Sequence, residues 1–163
     1  MPPQPLPSIP NGSNLFIDAN IFVYGIVGVS AECLTLLERC SREEVIGICS
    51  YSVVIEATHQ FMQADAHAQG HRGSLKGHPE IIRGLRNYWT EAQRLFALNL
   101  LFLETEEQIL RQAQIERQNA GLRTIDPVTV ACMRVYGIDR LATNDHDFND
   151  VVGIQVFRPT DVI

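Results

Sequence analysis

The sequence predicts an α/β fold built on one parallel sheet with helices on both faces. Three observations carry this. Short apolar runs rich in β-branched residues alternate along the chain with longer stretches of helical periodicity. Several helical stretches open on capping residues, and the last two close on glycines. Five acids, far apart in sequence, fall at the ends of the short runs or early in the helices that follow.

Residues 15–18 form a short apolar run closed by Asp18. Ser30 caps a helix expected over about 31–43, with Glu32 in the first turn, where a negative charge suits the helix dipole. Residues 45–49 are β-branched and bounded by helical patterns, as a buried strand should be. Ser50 then caps a helix over about 51–64. The stretch 64–79 holds three glycines, three histidines and a closing proline, and reads as a loop or frayed helix ends.

Residues 80–98 are helical in pattern, with Ile81, Leu85, Trp89 and Leu95 near one stripe. Residues 100–103 form a third strand. Thr105-Glu106-Glu107-Gln108 has the form of a capping box, opening a helix that stops at Gly121. Asp126-Pro127 reads as an N-cap followed by proline in the first helical position, with the helix ending at Gly137. Strands at 140–143 and 154–157 complete a set of five. Residues 1–13 are rich in proline and carry no charge. They are expected to be a flexible leader before a single domain over 14–163.

Composition sets limits on function. The chain is 163 residues long, 45% hydrophobic and 20% charged, enough for one core without staples. No run approaches 18 apolar residues, so no membrane span is expected, and the expected compartment is the cytoplasm. Cys33, Cys40, Cys49 and Cys132 form no C-x-x-C pair, which disfavours a zinc cage and suits free thiols in a reducing cytosol. The net charge of −6 argues against a protein that simply coats nucleic acid. That average hides a local excess. Residues 67–94 contain Arg72, Lys76, Arg83, Arg86, Arg94 and three histidines against two acids, which suits a flank that meets phosphates.

The acids are the chemical signal. Ligands of open parallel sheets bind beyond the carboxyl ends of the strands. Asp18 closes the first strand, Asp145 and Asp147 follow the fourth, Asp126 opens the helix before it, and Glu56 lies in the second turn of the helix after the second strand. Converging carboxylates repel one another, and Mg²⁺ or Mn²⁺ is the natural counter-ion for such an oxygen-only set. Each acid also has an ordinary explanation. Asp18 could shape a turn, Glu56 could be a solvated helix residue, Asp126 could be a cap, and Asp145, Asp147 and Asp150 could be a polar loop. The serines lack a nucleophile-elbow context and no Gly-rich phosphate loop is present.

Taken together, the motifs resemble those of the PIN-domain ribonuclease family. Phe16-Ile17-Asp18-Ala19-Asn20-Ile21-Phe22-Val23-Tyr24 is similar to its opening strand. Glu56 within Ser52-Val53-Val54-Ile55-Glu56 is similar to its helical glutamate. Ile125-Asp126-Pro127-Val128-Thr129-Val130-Ala131-Cys132 resembles its third acid, and Leu141-Ala142-Thr143-Asn144-Asp145-His146-Asp147-Phe148 its closing T-x-D-x-D-F element.

The resemblance implies a three-layer α/β/α fold with a five-stranded parallel sheet. It also implies Mg²⁺- or Mn²⁺-dependent cleavage of RNA by a toxin of the VapC kind, held by a small cognate antitoxin and commonly a homodimer. By the same likeness Asp18, Glu56, Asp126 and Asp145 are the metal-binding acids, Asp147 is an accessory ligand, and Asn20 and Thr143 supply hydrogen bonds. Three departures stand out: the proline-rich leader, the long segment 64–79, and the choice of Asp145, Asp147 and Asp150 in the closing element. A catalytically silent PIN-fold binding module is the alternative. A phosphatase of the haloacid-dehalogenase kind is disfavoured because Asn20 stands where that class needs a second aspartate.

Overall fold

The computed structural model describes residues 2–162, so the ends of the expected leader and domain, Met1 and Ile163, lie outside it. Six strands form one sheet in the order β1-β6-β5-β2-β3-β4, and every pair is parallel. They are β1 (Gln4–Pro5), β2 (Asn14–Ile17), β3 (Ile46–Ser50), β4 (Leu101–Leu103), β5 (Arg140–Ala142) and β6 (Gln155–Arg158). The helices are α1 (Ala19–Val27), α2 (Ala31–Ser41), α3 (Tyr51–Ala68), α4 (Pro79–Gly84), α5 (Tyr88–Arg94), α6 (Glu107–Ala120) and α7 (Asp126–Tyr136). One packed group joins α1 to α2, α3 and α5, while α6 and α7 pack on each other, and the helices cover both faces of the sheet. Among the described residues no single helix is long and apolar enough to cross a membrane.

The centre of the sheet is dry. Leu15, Phe16 and Ile17 of β2 are fully buried, and they meet Phe22, Phe61, Phe148 and Phe157 in one core. A strand covered on both faces has no solvated side, which is why β2 reads as a continuous apolar run and not as an alternating one. Gly47 in β3 allows close packing. A Cβ there would come within 2.7 Å of Leu100 Cδ2 and 2.9 Å of Cys40 Sγ. All four cysteines are buried and unpaired, and burial pushes their thiols up to about 11, or about 12 for Cys49. They are core residues and not nucleophiles.

Several expectations need correction. The proline-rich opening is not a loose leader. Gln4 and Pro5 add a sixth, edge strand beside β6, and Leu6 and Ile9 are buried in the core. Proline is tolerated there because an edge strand needs only one side of its backbone for pairing. A helix over Ala19–Val27 was not expected, because its residues are apolar all round and show no stripe; Asp18 caps it and Gly28, at φ 85°, ends it. The capping box before α6 does not form. Glu106 is the N-cap and makes no side-chain cap bond, while Thr105 Oγ1 lies 3.0 Å from Ser52 Oγ.

The single helix expected over 80–98 is broken in two. At the break, Asp65 Oδ2 accepts the backbone N–H groups of Arg86, Asn87 and Tyr88 at 2.8, 2.7 and 3.1 Å. Helix α3 also runs on to Ala68, past its expected end at 64 and into the segment read as a loop or frayed helix ends.

Candidate metal centre

The first-strand acid is placed by sheet register. β2 pairs with β5 as Phe16 with Leu141 and Ile17 with Ala142, and the Asp18 N–H donates to Ala142 O at 3.0 Å. One step further, Asp18 meets Thr143 at the carboxyl end of both strands. The order of the sheet reverses here, since β3 and β4 lie to one side of β2 and β5 and β6 to the other. This is the position where open α/β sheets present a crevice.

Asp18 is buried and almost fully engaged. Its Oδ1 accepts from Ala19 N at 2.7 Å, which caps α1. Its Oδ2 accepts from Thr143 Oγ1 and from Asn20 Nδ2, both at 2.6 Å. Thr143 Oγ1 in turn accepts the Asp145 N–H at 3.0 Å, and Asn20 Oδ1 accepts the Asn144 N–H at 3.0 Å. The two neighbouring residues thus tie Asp18 to the loop that carries Asp145. A carboxylate offers about four lone-pair sites, and these three bonds leave Asp18 roughly one for a ligand.

The remaining acids come from three separate elements. Asp145 caps a short 3-10 turn, His146–Phe148, by accepting from Asp147 N at 2.8 Å. Asp126 opens α7, but its side chain caps nothing; the N-cap is Ile125. The ordinary explanation for Asp126 therefore fails. Thr124, two residues earlier, sits at φ 53°, a left-handed conformation that costs a β-branched residue about 1–2 kcal/mol. Carboxylate oxygens of Asp126, Asp145 and Asp147 lie within 4.8 Å of one another. Asp18 and Glu56 are not in that tight triad. They stand close enough for their charges to perturb its members.

Protonation follows from this crowding. Burial, then the charges of Asp18, Asp145, Glu56 and Asp147, push the Asp126 carboxyl up to about 7. Burial likewise raises Glu56, with Asp18 and Asp145 adding to it and a bond from Gln60 opposing it. Burial raises Asp18 as well, against its bonds from Thr143, Ala19 and Asn20. Three acids that resist ionising beside one another make a site that a positive charge would suit. The donor set of the triad is entirely carboxylate, which fits a hard divalent cation and not a soft one.

Arg158 is a site-supporting residue that sequence reasoning did not single out. Its Nη2 donates to Asp145 O at 2.8 Å and to Asn149 Oδ1 at 3.0 Å, pinning the acidic loop to the end of β6. An arginine at a strand end gives no sign in one dimension of the carbonyl it will meet. Asp150, the third acid of the closing element, lines a polar cavity of about 270 Å³ with His146 and Asp147, and lies outside the triad.

Comparison with known proteins agrees with this picture. The family described as PIN domain matches residues 15–154. "Ribonuclease VapC6" of Methanocaldococcus jannaschii is 25% identical over 154 residues, covering 90% of this chain and 97% of that protein. Among solved structures, VapC20 of Mycobacterium tuberculosis, described as a sarcin-ricin-loop-cleaving toxin, superposes with a TM-score of 0.58 at 16% identity, over 87% of this chain and 99% of that one. A toxin–antitoxin complex from Klebsiella pneumoniae gives a TM-score of 0.57 at 18% identity, over 87% and 95%. At such identities these two structures speak for the fold.

Proposed function

Because this chain belongs to the PIN domain family, we propose that it is a metal-dependent endoribonuclease, hydrolysing RNA phosphodiester bonds as the toxin of a toxin–antitoxin pair. The observation that carries this reading is the meeting of Asp126, Asp145 and Asp147 within 4.8 Å at the carboxyl rim of the sheet, with Asp18 and Glu56 beside them. Mg²⁺ or Mn²⁺ is the ion this oxygen-only set suits.

Asp126 and Asp145 hold the ion directly in this reading, and Asp18 contributes its remaining lone pair. The more exposed Asp147 is an accessory ligand, and Glu56 reaches the site from α3 directly or through water. Asn20 and Thr143 favour the ionised form of Asp18 against its burial and aim it, since both donate to the same carboxylate oxygen. Arg158 keeps the 145–149 loop in place. The bound ion supplies the positive charge that polarises a phosphodiester and lowers the pKa of an attacking water. The protein's own part is to fix that charge in a preorganised, partly dry rim. The likeness to a toxin–antitoxin complex supports a small cognate antitoxin as the proposed partner; the homodimer and the cytoplasm are proposed from the family resemblance alone.

The test is cleavage of a mixed single-stranded RNA pool with Mg²⁺ or Mn²⁺. Cutting by the wild type that disappears with EDTA and in Asp126→Asn is the expected outcome. A folded, antitoxin-free protein that cuts neither this pool nor structured transfer and ribosomal RNA would instead be a silent PIN-fold binding module.

A further inference from the structure

A second feature lies along the same helix that carries Glu56. His59 and Gln63 follow Glu56 at i+3 and i+7 on α3, so the three side chains share one face, with His59 about 4.5 Å and Gln63 about 10.5 Å further along the axis. An open cavity of about 410 Å³ is lined by His59, Met62 and Gln63 of α3 together with Ser74, Lys76 and Ile82. Ser74 Oγ accepts the Lys76 N–H at 3.0 Å, which fixes the turn that presents the lysine.

Lys76 is the basic residue that lines this groove, and it belongs to a stretch whose cations are mostly unpaired. Elsewhere Arg39, Arg42, Arg94, Arg111, Arg134 and Arg140 each pair with a carboxylate, while Arg117, Arg123 and Arg158 form no salt bridge among the described residues. Arg72, Lys76, Arg83 and Arg86 are exposed, lie within fifteen residues of one another, and make no salt bridge among the described residues. The two acids of segment 67–94 are already engaged, Glu80 with His78 and Glu91 with Arg94. Lys76, without a carboxylate partner, therefore lines a groove beside the helix that also carries Glu56 of the acidic centre. A polyanion whose charge the bound divalent ion also attracts suits both.

We propose that the groove between α3 and residues 74–82 is the subsite for the nucleotides next to the scissile phosphate of a single-stranded RNA. Lys76 meets a backbone phosphate there. His59, Gln63 and Ser74 offer hydrogen bonds to sugar, phosphate or base edges, and Met62 and Ile82 give an unstacked base an apolar surface. The inference rests on the ribonuclease reading above and adds a direction to it, with the strand leaving the metal centre along α3.

The test is fluorescence-anisotropy binding of a labelled, mixed-sequence, single-stranded 12-nucleotide RNA across a salt series. It is run in the Asp126→Asn background, so that the probe is not cut. One lost phosphate contact on single-stranded RNA is expected to lower the salt slope by ~0.7, which at 0.1 M salt is about fivefold in affinity. Lys76→Ala should show both changes and Lys76→Glu a larger loss, while Arg111→Glu on the remote face of α6 should show neither. Mn²⁺ binding by Lys76→Glu in the otherwise wild-type chain should be unchanged, which separates groove damage from damage to the centre. If the parent protein binds RNA and Lys76→Glu binds it equally well, the groove assignment is wrong and an acidic protein segment becomes its better occupant. If the wild type neither binds nor cuts RNA, the ribonuclease reading itself fails, and the groove assignment with it.

Discussion

Asp126 carries a heavy electrostatic burden at the rim. Its carboxyl is pushed up to about 7 by burial and by four neighbouring acids, whereas in an unfolded chain it titrates near 4. Between those values the folded protein holds a proton that the unfolded chain has released. The stability tied to this group is therefore fully present below about pH 4 and is lost as pH rises through about 7 in the absence of metal. Because Asp126 caps nothing, neutralising it removes repulsion and breaks no cap bond. Solvent screens a half-exposed group, so the gain should be modest. Asp126→Asn is expected to raise the metal-free melting temperature at pH 7.5 by roughly 3–6 °C, the equivalent of ~1–2 kcal/mol in a domain of this size. Thermal unfolding in EDTA from pH 5 to 8 checks this, and a lower melting temperature in the variant would mark Asp126 as structural. Asp18→Asn is the poorer probe, because its Oδ2 accepts from two donors at once and an amide cannot keep both bonds and its cap.

At the scale of elements, the interruption between α4 and α5 depends on one side chain. Asp65 is buried and accepts three successive backbone N–H groups from another segment, and a fourth bond from Gln69 Nε2 at 3.1 Å. Burial opposes its charge, but these donors together hold the carboxyl below the usual range. Asp65→Ala strands those donors and should cost about 2–3 kcal/mol, seen as a fall of the urea midpoint at unchanged slope. A loss below ~0.5 kcal/mol would mean that the break is set by the local sequence alone. This contact explains why the stretch 80–98 reads as one helix. Periodicity registers Ile81, Leu85 and Trp89 as a stripe, yet Trp89 is half exposed, because a carboxylate some twenty residues upstream captures the backbone that would have continued the turn. Where the determinants are local, as with Ser30 capping α2 and Ser50 capping α3, the reading from sequence and the structure agree.

The molecule as a whole places its acids by topology. Asp18, Asp126 and Asp145 are legible in sequence because each sits at a strand end or helix start, and a parallel sheet sends all such ends to one rim. Their grouping is not legible. The tight triad is Asp126, Asp145 and Asp147, with Asp18 tied up by Asn20 and Thr143, and only three-dimensional packing decides that division. The edge strand at Gln4–Pro5 escapes notice for the same reason. Two residues carry no periodicity, and their partner Phe157–Arg158 lies at the opposite end of the chain.

The central claim is that these carboxylates form a divalent-metal centre, and calorimetric titration of the purified, EDTA-stripped protein with Mn²⁺ at pH 7.5 tests it most directly. Heat of binding and a rise in melting temperature in the wild type, both lost in Asp126→Asn, are the predicted result. Equal heats in the two proteins, or none in a folded wild type, would contradict it.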